Sequence, residues 1–209
     1  MKMRTLVGRG IKEAKRNNRN QVGNREVENI GVIEMICYIK KCFDQDMIAS
    51  FYGDMQNSES HLTGFVGAYD ENFLIIKHIS PTGLYDGFIL IRTRDLFRID
   101  LNGAYEDKVR KLYESKNQVH PNCPSADNLP LSILDYSLKN NKMISIEIGN
   151  DTITGLVNAY NSEYICLFAF DRYGRNNGET VVACDEIMSI AMDTSTEQSI
   201  QLLAEKQSQ

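Results

Sequence analysis

The chain contains the same small unit twice. His61-Leu62-Thr63-Gly64-Phe65-Val66-Gly67-Ala68-Tyr69-Asp70 returns as Thr152-Ile153-Thr154-Gly155-Leu156-Val157-Asn158-Ala159-Tyr160-Asn161. The pairs Gly64/Gly155, Ala68/Ala159 and Tyr69/Tyr160 share a separation of 91 residues, and so do Gly83/Gly174, Gly87/Gly178, Ile99/Ile190, Leu112/Leu203 and Glu114/Glu205. A separation kept without a gap over this distance marks a duplicated unit, so the fold must be one that can be built twice from few residues. Each unit is near the size at which a domain buries only about 60 % of its unfolded surface, and such units gain stability by packing on a copy of themselves.

Periodicity within the copies predicts short strands between helices. Ile144, Ile146 and Ile148 alternate with Ser145 and Glu147, a strand with one buried face. Gly149-Asn150-Asp151 is a turn. The next strand places Ile153, Gly155, Val157 and Ala159 on one face, and a glycine inside a strand marks a sharp bend or a close backbone approach. Tyr164–Phe170, Val181–Cys184 and Ile187–Met192 complete five strands, with Asp171–Gly178 as a turn. The first copy repeats them at Met47–Tyr52, at the stretch around Gly64, and at Phe73–Ile79, Phe88–Arg92 and Leu96–Leu101, with Gly53–Ser60 lengthening its first turn. A helix opens each copy: Ile30–Lys41, with Ile33, Ile36 and Cys37 at helical spacing, and Leu129–Leu138, with a stripe of Leu131, Leu134 and Leu138. Pro130 suits the first turn of the second of these helices. A polar helix closes each copy, at Tyr105–Tyr113 and Thr196–Leu203. The organisation is a basic flexible tail over 1–29, domain 1 over 30–116, a Pro-containing linker over 117–129 and domain 2 over 130–209.

Charge and cysteines narrow the function. Residues 1–28 carry eight Lys and Arg against three Glu, a net +5, which leaves −10 on the remainder of a chain of net charge −5. An acidic body argues against a broad nucleic-acid face, since phosphate contacts need clustered cations. The basic start could supply them, or it is a solvated tail. Five cysteines without a second Cys or His pair at ligand spacing exclude a zinc knuckle and fit reduced thiols in the cytoplasm. No apolar run approaches the roughly 18 residues of a membrane helix. No Gly-rich phosphate loop, serine elbow or paired-carboxylate motif is present, so neither an enzyme nor a cofactor is expected. His120 and Cys123 share the linker, a poor frame for nucleophilic chemistry, which needs a rigid third group.

A helix, five short bent strands and a gap between strands three and four together resemble the Sm/LSm fold, including its bacterial Hfq-like branch. Ile144–Ile148 followed by Asn150 and Gly155-Leu156-Val157-Asn158-Ala159-Tyr160-Asn161 look like the first Sm motif, with Asn150 where the family has Gly. Gly64-Phe65-Val66-Gly67-Ala68-Tyr69-Asp70 matches it in the first copy and keeps the family's Asp. Ile91-Arg92-Thr93-Arg94-Asp95-Leu96 looks like the second motif, with Thr93 where Gly is common. The resemblance implies two tandem Sm-like (SH3-like) five-stranded bent β-barrels, each with an N-terminal and a C-terminal helix, in a mainly β chain. It also implies self-association by pairing of strand four with strand five, and single-stranded RNA bound by the loops after strands two and four.

The positions matching those loops are Tyr69, Asp70, Phe73, Arg92 and Arg94. An aromatic ring there can stack a base and an Arg can hold a phosphate or a base edge. The family's usual Asn is replaced by Leu74 and Ile165, and Ala183-Cys184-Asp185 stands where the basic group would be in the second copy. RNA would therefore meet the first copy or the tail. Each residue also has a structural reading: Tyr69 as packing, Asp70 as a turn cap, and Arg92, Arg94 and Arg98 as one solvated strand face. Two functions stay open: an RNA-binding tandem protein, or a protein–protein scaffold without nucleic acid.

Overall fold

The computed structural model describes residues 34–53 and 59–207. The basic tail, the first residues of the predicted opening helix and most of the lengthened first turn lie outside them. The first repeat runs α1 (34–44), β1 (Ile48–Tyr52), β2 (Leu62–Tyr69), β3 (Phe73–Ile79), β4 (Tyr85–Arg92), a 3-10 turn at Thr93–Asp95, β5 (Arg98–Leu101) and α2 (Ala104–Ser115). The second runs α3 (Leu129–Asn140), β6 (Met143–Ile148), β7 (Asp151–Tyr160), β8 (Tyr164–Phe170), β9 (Asn176–Ala183), a 3-10 turn at Cys184–Glu186, β10 (Ser189–Met192) and α4 (Ser195–Gln207). The molecule is mainly β with helices.

Strand pairing corrects the expectation of two separate barrels. All ten strands belong to one antiparallel sheet, in the order β5-β1-β2-β3-β4-β10-β6-β7-β8-β9. Each repeat has its fifth strand beside its first, but neither closes on itself. The outer side of β4 bonds instead to β10, with Leu90 opposite Ile190 and Phe88 opposite Met192. The strand-four to strand-five junction is thus built inside one chain. Side chains reinforce it: the Tyr85 hydroxyl donates to Asp193 (2.9 Å), and the Ser195 N–H at the start of α4 donates to Asp86 (2.7 Å).

The repeated glycines and the bends have one cause. A Cβ on Gly64 would collide with the Lys77 carbonyl of β3, and one on Gly155 with the Phe168 carbonyl of β8. At each of these places two strands cross too closely for a side chain. A bulge follows in each repeat, between Val66 and Ala68 and between Val157 and Ala159. One extra residue reverses the side-chain alternation, so Val157 is buried while Ala159 is exposed, against the single face predicted. The helices also turn differently from the prediction. In α1 the buried residues are Ile39 and Cys42, and Cys37 is exposed. In α3 they are Leu129, Ile133, Leu134 and Ser137, and Leu138 points outward.

Three apolar clusters hold the elements. One joins α1 to β1–β3 through Ile39, Phe51, Leu74 and Ile76, and a second seats α2 on Ile48, Phe65 and Ile79 through Val109 and Tyr113. The largest crosses the junction: Ile75, Phe88 and Leu90 of the first repeat pack with Ile133, Leu134, Ile146, Ile165 and Ile190 of the second.

Candidate nucleic-acid interface

Two turns of the first repeat meet at one end of the sheet. The β2–β3 turn is shaped by Asp70, whose Oδ1 accepts from the N–H groups of Asn72 and Phe73, both at 2.7 Å. Asn161 does the same for Glu163 and Tyr164 in the second repeat, so the position serves a local turn whether or not it is charged. The β4–β5 turn is brought alongside because Phe73 pairs with Arg92 across the strands and the Thr93 N–H donates to the Asn72 carbonyl at 2.8 Å.

The result is a cavity of about 340 Å³ lined by Glu71, Asn72, Phe73, Arg92 and Arg94, with Cys184 and Asp185 from the second repeat. The Arg92 guanidinium donates to the Asp185 carbonyl, which fixes its position across the junction. Arg94 is the freer cation: its side chain is 67 % exposed, with the Asp95 carboxylate 3.8 Å away. Between them Thr93 is buried, and its hydroxyl has no hydrogen-bond partner among the described residues. Burial, and then the neighbouring Asp185, raise the Cys184 thiol above its usual value, so it stays protonated, unlike a nucleophilic cysteine.

Of the five predicted residues, Phe73, Arg92 and Arg94 line this cavity. Asp70 shapes the turn beneath it. Tyr69 lies against the first apolar cluster, its ring edge-on to Phe43 at 5.7 Å. The three arginines do not share a strand face, because Thr93–Asp95 is a 3-10 turn. Arg98 leaves for β5, where it pairs with Asp100 and covers the Tyr52 ring. In the sequence Cys184 and Asp185 belong to the second copy's own strand-four loop, and only the strand-four to strand-five junction brings them across to the turns of the first.

His120 and Cys123 have packing roles. The His120 ring sits among Phe65, Tyr85, Phe88 and Tyr113, stacked on the last at 5.5 Å. Burial lowers its pKa to about 4, and its two nitrogens are used by the His78 carbonyl (2.9 Å) and the Tyr113 hydroxyl (2.8 Å). Burial pushes the Cys123 thiol up to about 12. Among the described residues no group of three or more His, Cys, Asp or Glu is placed to hold a metal ion, and no helix is long and apolar enough to cross a membrane. Compared with known proteins, the chain matches no family model, no curated protein and no solved structure.

Proposed function

We propose that the chain is a non-enzymatic, cytoplasmic tandem Sm-like protein that holds single-stranded RNA at the Phe73–Arg92–Arg94 cavity, aided by its basic N-terminal residues. The observation that carries this reading is the meeting of the two turns: an aromatic ring and two guanidinium groups converge at one opening. A base stacked on Phe73 leaves its phosphate near Arg94, the more exposed of the two cations among the described residues. The strand order of the first repeat, returning unchanged in the second, supports the Sm-like reading of each unit. The free thiols of all five cysteines support a reducing compartment.

The test is anisotropy of a labelled single-stranded RNA with the full chain at two salt concentrations. Binding weakens with salt, and Phe73→Ala and Arg94→Glu each weaken it about tenfold, within the range for loss of one stacked base. Equal affinity in both variants, or no binding at micromolar protein and low salt, overturns the proposal.

A second reading, a protein–protein scaffold, is favoured by the carboxylates at the same opening, Glu71 and Asp185, which offset the two arginines. Partners that stay bound after nuclease treatment, with no affinity for RNA, would select it.

A further inference from the structure

A groove of about 880 Å³ runs along β5, the strand that ends the sheet, between α1 and the start of α2. Its wall suits positive charge. The Tyr52 and His61 rings lie 5.0 Å apart, and the Tyr105 ring meets His61 edge-on at 5.1 Å. Phe97 and Tyr38, the latter 54 % exposed on α1, complete the aromatic lining. Three carboxylates, Glu34, Asp100 and Glu106, stand there against the one guanidinium of Arg98, so with His61 neutral the groove has a net charge of −2. The faces of these rings already attract cations of the protein itself. The Arg98 guanidinium lies 4.4 Å from the centre of Tyr52, and the Lys108 ammonium 5.6 Å from that of Tyr105.

The equivalent space in the second repeat is filled. Between α3 and β10, Phe88 and Leu90 of β4 pack with Ile133 and Ile190 in an apolar cluster. Among the described residues no strand lies on the outer side of β5. A second copy of the chain is a poor filler for it, because β9, the strand at the other end of the sheet, carries Glu179 and no cation. Rings and carboxylates together call instead for a segment rich in Lys and Arg.

We infer that this groove is the docking site of the chain's own basic residues 1–33, whose cations meet its rings and carboxylates. Two observations select this segment. Its charge is complementary, +5 over residues 1–28 against −2 in the groove. It also adjoins the groove in the chain, since Glu34, the residue that follows it, lines the wall. Arg25 stands nine residues before Glu34, and a chain of that length reaches up to about 30 Å. That is ample to bring Arg25 beside Asp100, because β5 is only four residues long. The charge of the segment exceeds that of the groove, so it neutralises the groove and still presents cations outside it. Seated there, it covers the open edge of β5 and keeps that edge from pairing with strands of other proteins.

The test is digestion of the full chain by trypsin, which cuts after Lys and Arg and only while the segment is out of the groove. RNA is left out, so the outcome is independent of the RNA reading. Cuts after Arg16, Arg19 and Arg25 are timed by mass spectrometry. Glu34→Gln combined with Tyr38→Ala, both at exposed positions of α1, removes a carboxylate and a ring without touching the core. This variant is cut about tenfold faster than the wild type, the effect of losing one ion pair and one cation–π contact, with unchanged circular dichroism. Salt speeds cutting of the wild type toward the rate of the variant, and dilution leaves the wild-type rate unchanged. Glu205→Gln, which removes an exposed carboxylate on α4, is cut like the wild type. Equal rates in the wild type and the α1 variant, a wild-type rate indifferent to salt, or a Glu205→Gln cut as fast as the α1 variant each overturns the docking. Protection lost on dilution places the segment on another copy and overturns it equally.

Discussion

His120 shows how a residue that reads as chemistry becomes packing. A histidine three positions from a cysteine suggests a reactive pair, but the linker carries its ring into an aromatic box and both nitrogens are engaged. Burial keeps the ring neutral, and in that form Nε2–H donates to the His78 carbonyl, which leaves Nδ1 to accept from the Tyr113 hydroxyl. The unfolded chain takes up this proton near pH 6.5, whereas the folded one resists until about pH 4. Stability from this site is therefore complete above pH 6.5 and is lost as the pH falls from 6.5 toward 4. The loss should be about 2–3 kcal/mol. Urea unfolding across this window is expected to show it in the wild type and not in His120→Phe, and equal slopes in both would remove His120 as the cause. The sequence could not reveal this fate, since nothing local in Gln118-Val119-His120 announces the four rings that gather from β2, β4 and α2.

At the scale of elements, legibility followed the strength of the local signal. Alternation in Met143–Ile148 and apolar density in Phe73–Ile79 announced strands whose ends the structure matches closely. The 3-10 turns and the bulges were not legible, since each depends on one residue's departure from a regular pattern that a neighbouring strand imposes. The anchoring of the terminal helices was also missed, although its signal was present. Thr194-x-x-Glu197 is a capping box, and Gly103-x-x-Glu106 places the same carboxylate in the first repeat. Glu197 is buried, accepts from the Thr194 N–H at 3.0 Å, and accepts from Ser145 Oγ on β6. Glu106 likewise binds the Gly103 N–H and Ser50 on β1. One buried carboxylate thus caps each closing helix and pins it to the first strand of its repeat. Glu197→Ala leaves the Ser145 and Thr194 donors without their acceptor and should cost about 2–4 kcal/mol in chemical denaturation. Glu106→Ala should cost a similar amount, and a loss below measurement in both would show that water replaces the carboxylate without penalty.

At the scale of the whole molecule, the duplication predicts two like units but not how they share a core. The opening helix of the second repeat lies over the junction, so Ile133 and Leu134 pack with Ile75, Phe88 and Leu90 as well as with Val157 and Ile165. The candidate interface depends on this arrangement, because Arg92 and Asp185 face each other only while β4 and β10 stay paired. A cavity made at Ile133, which is fully buried, should therefore loosen both repeats. Ile133→Ala is expected to cost about 2–5 kcal/mol, the range for a buried isoleucine whose surroundings relax only in part. Hydrogen exchange separates a shared core from two adjoining ones. If the core is shared, the amides of Ile75, Ile76 and Leu90 lose protection together with those of Val157 and Ile165, and unfolding remains a single transition. If β3 and β4 keep wild-type protection while β7 and β8 lose theirs, the junction holds the repeats side by side without coupling them. An RNA site spanning it would then be an adjacency of two surfaces rather than one preorganised cleft.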